Sequence, residues 1–164
     1  MKANIFVAAL LLFCLGCTSQ QSDQLTQEQK DQIKSEAKVA VDSIFAKWGR
    51  LDVEGALQYY SPELVVVGDS SLIDYQACKK GWMDLASSAA TAKWTAVRLE
   101  FIVLTKDLVI SAWIGKMELL LKSGDKMTVD PLGYTDVCKK VGGQWKVIYE
   151  HASGIPVTQK AGKK

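Results

Sequence analysis

The sequence predicts an α+β domain in which helices from the first half of the chain cover an antiparallel sheet made by the second half. Two observations lead there. Between Thr26 and Ala89 apolar residues recur at helical spacing behind capping side chains, whereas from Lys93 onward the period drops to two, in runs of β-branched and aromatic residues. Those runs are interrupted at Lys106-Asp107, Ser123-Gly124-Asp125 and Gly142-Gly143, turn signals that join neighbouring antiparallel strands. Helices first and a meander afterwards is the α+β order.

The chain opens on Met1-Lys2-Ala3-Asn4, with one positive charge, followed by an apolar run from Ile5 that closes on Gly16-Cys17. A basic start, a short apolar middle and a small residue at the cut are the layout of a secretory signal. The run is shorter than the about 20 residues that span a bilayer, so a permanent transmembrane helix is not expected. Residues 1–16 are therefore assigned to a signal peptide. Residues 17–25, polar and without apolar period, are assigned to a tether.

A domain is expected over residues 26–156. Thr26 with Gln29 three residues on is a capping-box pattern, and Ile33, Ala37, Val41, Ile44 and Trp48 form the apolar stripe of a first helix that Gly49 ends. Asp52 caps a shorter helix carrying Leu57, Tyr59 and Tyr60, terminated by Ser61-Pro62. A brief strand, Leu64 to Val67, comes next. Asp74 caps a third helix with Tyr75, Cys78, Trp82, Leu85 and Ala89 on one stripe.

Four long strands follow at about 93–104, 108–121, 127–141 and 144–152, the third broken or bulged near Pro131 to Gly133. Strict alternation puts Val109, Ser111, Trp113, Met117 and Leu119 on one face of the second. It puts Trp145, Val147, Tyr149 and His151 together in the last, opposite Lys146 and Glu150. Residues 157–164, ending in Lys163 and Lys164, read as a frayed tail.

With 20 basic and 18 acidic residues and a net charge of +2, the chain lacks the concentrated basic face of a nucleic-acid partner. Cys14 falls within the signal, where its spacing to Cys17 imitates a CxxC motif without the setting for one. Cys78 and Cys138 remain in the domain, as one disulfide or as two buried thiols. His151 is the only histidine, and there is no HExxH and no paired CxxC, so neither a metal site nor a cofactor is expected.

Leu15-Gly16-Cys17 resembles the bacterial lipobox, in which the cysteine is acylated and becomes the first mature residue. That implies a lipid anchor on Cys17, a membrane partner and a place in the cell envelope; the other reading is an ordinary cleaved signal that frees the domain. Three further groups resemble SnoaL-like and DUF4440-like members of the NTF2-like superfamily. They are the stretch from Phe45 to Asp52, the run Leu57-Gln58-Tyr59-Tyr60-Ser61-Pro62, and the ending from Gly143 through Trp145 to His151-Ala152-Ser153-Gly154-Ile155-Pro156. The last is similar to the close of the calcium/calmodulin-dependent kinase II association domain. The resemblance implies a cone, three helices packed on a strongly curved, mostly antiparallel sheet, with a pocket at its mouth. It does not imply one function, since members include isomerases, cyclases, dehydratases, ligand binders and oligomerisation hubs.

Trp48, Tyr59, Trp82, Trp113, Asp136, Tyr149 and His151 are the candidate pocket residues, although the aromatic ones would serve a core equally well. His151 is read first as a hydrogen-bonded residue at the pocket floor and second as a general base. Asp69, just after the first strand, is read first as a turn residue before Ser70-Ser71 and second, by resemblance, as the base carboxylate of the superfamily's enolising isomerases, but where those carry an oxyanion-stabilising tyrosine this chain has Ile44. Asp136 stands where the association domain has arginine; pointing inward it turns the expected ligand preference from an anion toward a neutral hydrogen-bond donor or a cation, and pointing outward it pairs with a surface lysine. The leading reading is a module that binds a small molecule. An isomerase, cyclase or dehydratase is the first alternative and a homo-oligomeric adaptor the second. Homodimerisation is expected through an outer sheet face bearing Ile110, Ala112 and Ile114.

Overall fold

The computed structural model describes residues 24–68 and 71–162; the signal, Cys17 and Asp69 lie outside the described residues. Thr26 caps helix α1 (Gln27–Trp48), with its hydroxyl accepting from the Gln29 amide while the Gln29 side chain accepts from the Thr26 amide. The predicted stripe is buried, and Gly49 ends the helix. Asp52 caps α2 (Val53–Leu57). This helix is shorter than predicted, because Tyr60 already belongs to strand β1 (Tyr60–Gly68). A four-residue strand β2 (Ser71–Asp74), not foreseen from the sequence, pairs antiparallel with β1 and leads into α3 (Tyr75–Ser88).

The remaining strands are β3 (Ala89–Thr105), β4 (Leu108–Leu121), β5 (Lys126–Val141), β6 (Gln144–Ser153) and β7 (Pro156–Gln159). They form one sheet in the order β2-β1-β6-β5-β4-β3, all antiparallel except the β1–β6 pair, with β7 continuing alongside β5 beyond the end of β6. The expected frayed tail is thus partly a strand. Its end is held by Asp125, which accepts from the Ala161 amide and pairs with Lys160 at 2.9 Å. Among the described residues no helix is long and apolar enough to cross a membrane.

The helices lie on the sheet's concave face, and the apolar side chains between them make the core. Leu64, Val109 and Val147 are fully buried there, against the inner side of α1 and α2. The sheet curves because its ladders are repeatedly out of step, with register shifts at Ala96/Arg98, at Gly115/Met117 and at Val137/Cys138. Each such bulge adds local twist and bends the strand that carries it. Glu36 on α1 accepts from Lys140 Nζ at 2.7 Å and from the Trp145 indole, which ties the long helix to the β5–β6 hairpin. Cys78 and Cys138 are both buried free thiols.

Candidate functional site

Between the helices and the sheet the core leaves a cavity of about 200 Å³. Helix α1 supplies Ile44 and Trp48 to its wall, α3 supplies Trp82, and β3 and β4 supply Trp94 and Trp113. The tryptophans are in mutual contact: Trp48 meets Trp82 and Trp94 at 5.7 Å between ring centroids. Trp113 is stacked on Tyr134 at 4.8 Å. Such packing fixes ring orientations and makes a rigid apolar wall.

The two carboxyls of the wall, Asp136 and Glu150, belong to one polar row across three strands, which Ser111 completes from behind the wall. Ser111 on β4 stands opposite Asp136 on β5, which stands opposite Glu150 on β6. Directly opposed side chains on neighbouring strands have Cβ atoms about 4.5–5.5 Å apart, so the two carboxyls are immediate neighbours. Both are buried, Asp136 at 6% and Glu150 at 3% exposure. Ser111 Oγ donates to Asp136 Oδ2 at 3.0 Å and Tyr60 Oη donates to Glu150 Oε2 at 3.3 Å. Asp136 Oδ1 has no partner among the described residues, and neither does the indole N–H of Trp94.

Burial raises Asp136 to about 7, against the pull of the Ser111 hydrogen bond. Burial, and then the negative charge of Asp136, push Glu150 well above the usual carboxylate range. Removing two adjacent carboxylates from water makes the second ionisation far harder than the first, so near neutral pH the pair holds at least one proton. Tyr60 and Tyr134 are pushed up by the same burial and by the same two carboxyls, and stay phenols. Cys138 rises to about 12, chiefly through burial, and is no nucleophile.

Of the candidate pocket residues, Trp48, Trp82, Trp113 and Asp136 line this cavity together. Tyr59 does not; it sits against Trp145 and Gln58 on another side of the molecule, and the neighbouring Tyr60 faces the cavity instead. Tyr149 and His151 do not either. A bulge at Ile148, where Val137 pairs with Tyr149 but Cys138 already pairs with Val147, reverses the alternation of β6. Trp145 and Val147 point inward as expected, but beyond the bulge Glu150 is the inward residue. His151 is exposed, in an outer groove with Arg98, Glu100 and Ile114, so the expected place at the pocket floor is corrected.

Glu150, Tyr60, Trp94 and Tyr134 are the site residues that sequence reasoning missed. No glycine or proline marks Ile148, so nothing in the sequence signals the change of face. Trp94 was open to view as the aromatic between Lys93 and Thr95. Among the described residues no cluster of histidine, cysteine, aspartate or glutamate could hold a metal ion.

No protein-family model matches the sequence, and no curated protein matches it in sequence. Solved structures do match in shape. A protein described as a scytalone dehydratase, from Novosphingobium aromaticivorans, superposes with a TM-score of 0.73 at 10% identity, over 85% of this chain and 94% of that one. A nuclear transport factor 2 (NTF2-like) superfamily protein from Salmonella enterica gives 0.67 at 12% identity, over 76% and 92%. A protein described as a calcium/calmodulin-dependent protein kinase II association domain, from Xanthomonas campestris, gives 0.63 at 20%, over 73% and 86%. The fold of this chain is NTF2-like.

Proposed function

We propose that the cone binds a small, mainly apolar molecule that also offers at least one hydrogen-bonding group. The observation that carries this is a cavity whose wall is mostly apolar, four tryptophans among it, yet includes two buried polar atoms without partners, Trp94 Nε1 and Asp136 Oδ1. An unsatisfied buried polar atom costs about 1–3 kcal/mol, which a bound group of matching polarity relieves. An apolar cavity of about 150 Å³ takes up benzene. A space of about 200 Å³ therefore suits a ligand built on a single ring or of similar bulk.

Four of the five tryptophans line the cavity, so intrinsic fluorescence is the natural probe of occupancy. Ligands found by such a screen are expected to lose binding in Ala152→Phe, which fills the space from β6, while its circular dichroism stays unchanged. Binding that survives the filled cavity would place the ligand elsewhere and refute this reading.

A second reading, proton transfer on a bound substrate, is favoured by the Asp136–Glu150 pair. One carboxyl poised near neutrality beside one that keeps its proton is a base next to an acid. Mass spectrometry of a bound compound recovered from D₂O separates the two, since a binding module returns it without deuterium on carbon and a proton-transfer enzyme does not.

The resemblance of Leu15-Gly16-Cys17 to a lipobox supports display of the domain in the cell envelope, on an acyl anchor at Cys17. Mass spectrometry of the mature amino terminus is expected to find Cys17 acylated. An unmodified terminus at any other residue would refute the anchor.

A further inference from the structure

We infer that the cavity selects a small organic cation, a protonated or quaternary amine on an apolar body, with its charge against the Asp136–Glu150 pair and its carbon skeleton among the tryptophans. The inference rests on the small-molecule reading above and names the ligand class.

The argument begins with what surrounds the two carboxyls. From β4 Asp136 receives the Ser111 hydroxyl, and from β1 Glu150 receives that of Tyr60. Tyr134 and Cys138 on β5 and Cys78 on α3 are the other titratable groups felt by the pair, all neutral near pH 7 because burial raises each. Helix α1 presents only apolar side chains, and no lysine, arginine or histidine is among the described residues that line the cavity. A charge on either carboxyl is therefore unmatched by the protein, and a buried unpaired charge is costly.

Of four possible occupants, two answer that. A proton does so in the empty cavity. An anion makes matters worse by repulsion. A cation replaces the proton, and it does so beside aromatic rings, whose quadrupole attracts positive charge most strongly for tryptophan. A neutral ligand uses the apolar wall and can give Asp136 Oδ1 one hydrogen bond, but it leaves the charge of an ionised carboxyl unmatched. Because the cation displaces a proton, its binding must strengthen as pH rises through the ionisation of Asp136 near 7 and level off above it.

The test uses the folded protein and four probes built on one benzene ring: benzyltrimethylammonium, its uncharged carbon isostere neopentylbenzene, benzylamine and benzoate, followed by tryptophan fluorescence and thermal shift. Both cations are expected to bind at least tenfold more tightly than neopentylbenzene, and benzoate not at all. The affinity of benzyltrimethylammonium, whose own charge does not titrate, is expected to rise roughly tenfold per unit between pH 5 and 6.5. Asp136→Asn and Glu150→Gln should each erase the preference for the cation and leave neopentylbenzene binding in place. If either variant fails to fold, the pH dependence of the wild type decides. Neopentylbenzene or benzoate binding as tightly as the cations, or affinity for the quaternary amine independent of pH, would overturn the cation inference and leave the small-molecule reading intact. Failure of all four probes to bind would tell against both.

Discussion

A carboxyl that burial keeps protonated must lose either its proton or its burial as the pH climbs. Unfolded, Asp136 and Glu150 would titrate near 3.9 and 4.3; folded, both are raised, Asp136 to about 7. Between those limits the native chain holds more protons than the unfolded one. The contribution of Asp136 to stability is therefore complete below about pH 4 and is lost as the pH rises through about 7, and that of Glu150 is lost in the same direction. Glu36, Asp52 and Asp125 act in the opposite sense, since their hydrogen bonds to Lys140, to Lys47 and to the Ala161 amide lower them. Their contribution is present above about pH 4 and is lost on acidification. The urea midpoint is expected to be higher at pH 5 than at pH 8, and Asp136→Asn should raise the pH 8 stability by on the order of a few kcal/mol. A midpoint that rises from pH 5 to pH 8 would contradict the buried pair. His151→Ala, on the exposed side of the same strand, should change stability by less than about 0.5 kcal/mol.

Among the elements, strands β3 and β4 press closest at one glycine. A Cβ on Gly115 would overlap the carbonyl oxygen of Thr95 and come within 3.0 Å of Ala96 Cα, both backbone atoms that cannot swing aside. Gly115→Ala is expected to destabilise the domain by about 1–3 kcal/mol in chemical denaturation. Gly81, inside α3 with nothing within 4 Å of its would-be Cβ, gives the converse: Gly81→Ala should stabilise by about 0.5–1 kcal/mol. The same contrast explains what the sequence could tell. Helix caps at Thr26, Asp52 and Asp74 and the inward set of β4 were legible, because capping and alternation are local rules written in the residues themselves. The strand character of Tyr60 and the pairing of Pro156–Gln159 on β5 were not, because each depends on a partner strand distant in the chain. The cavity was half legible: its tryptophans stood out by type, whereas Glu150 passed for a solvated neighbour of Lys146.

Seen as a whole, the domain hides one face of its sheet and leaves apolar side chains on the other. Ile114 is 56% exposed and Val97, on the bulge of β3, 79% exposed, with Ile110 and Ala112 half-buried beside them. Light scattering on the soluble domain is expected to report a dimer at micromolar concentration, and Ile114→Glu to return it to a monomer. A wild-type monomer at high micromolar concentration would refute pairing through this face. The bulge at Ile148 bears on the molecule more widely still. It acts on β6 as a frameshift acts on a message, leaving every letter in place and changing which of them are read. In the frame the molecule uses, the cavity is offered a second acid. In the frame of an unbroken strand it would be offered a phenol and an imidazole, Tyr149 and His151, beside Asp136. The bulge thus chooses the chemistry of the cavity by choosing which residues of β6 touch the ligand.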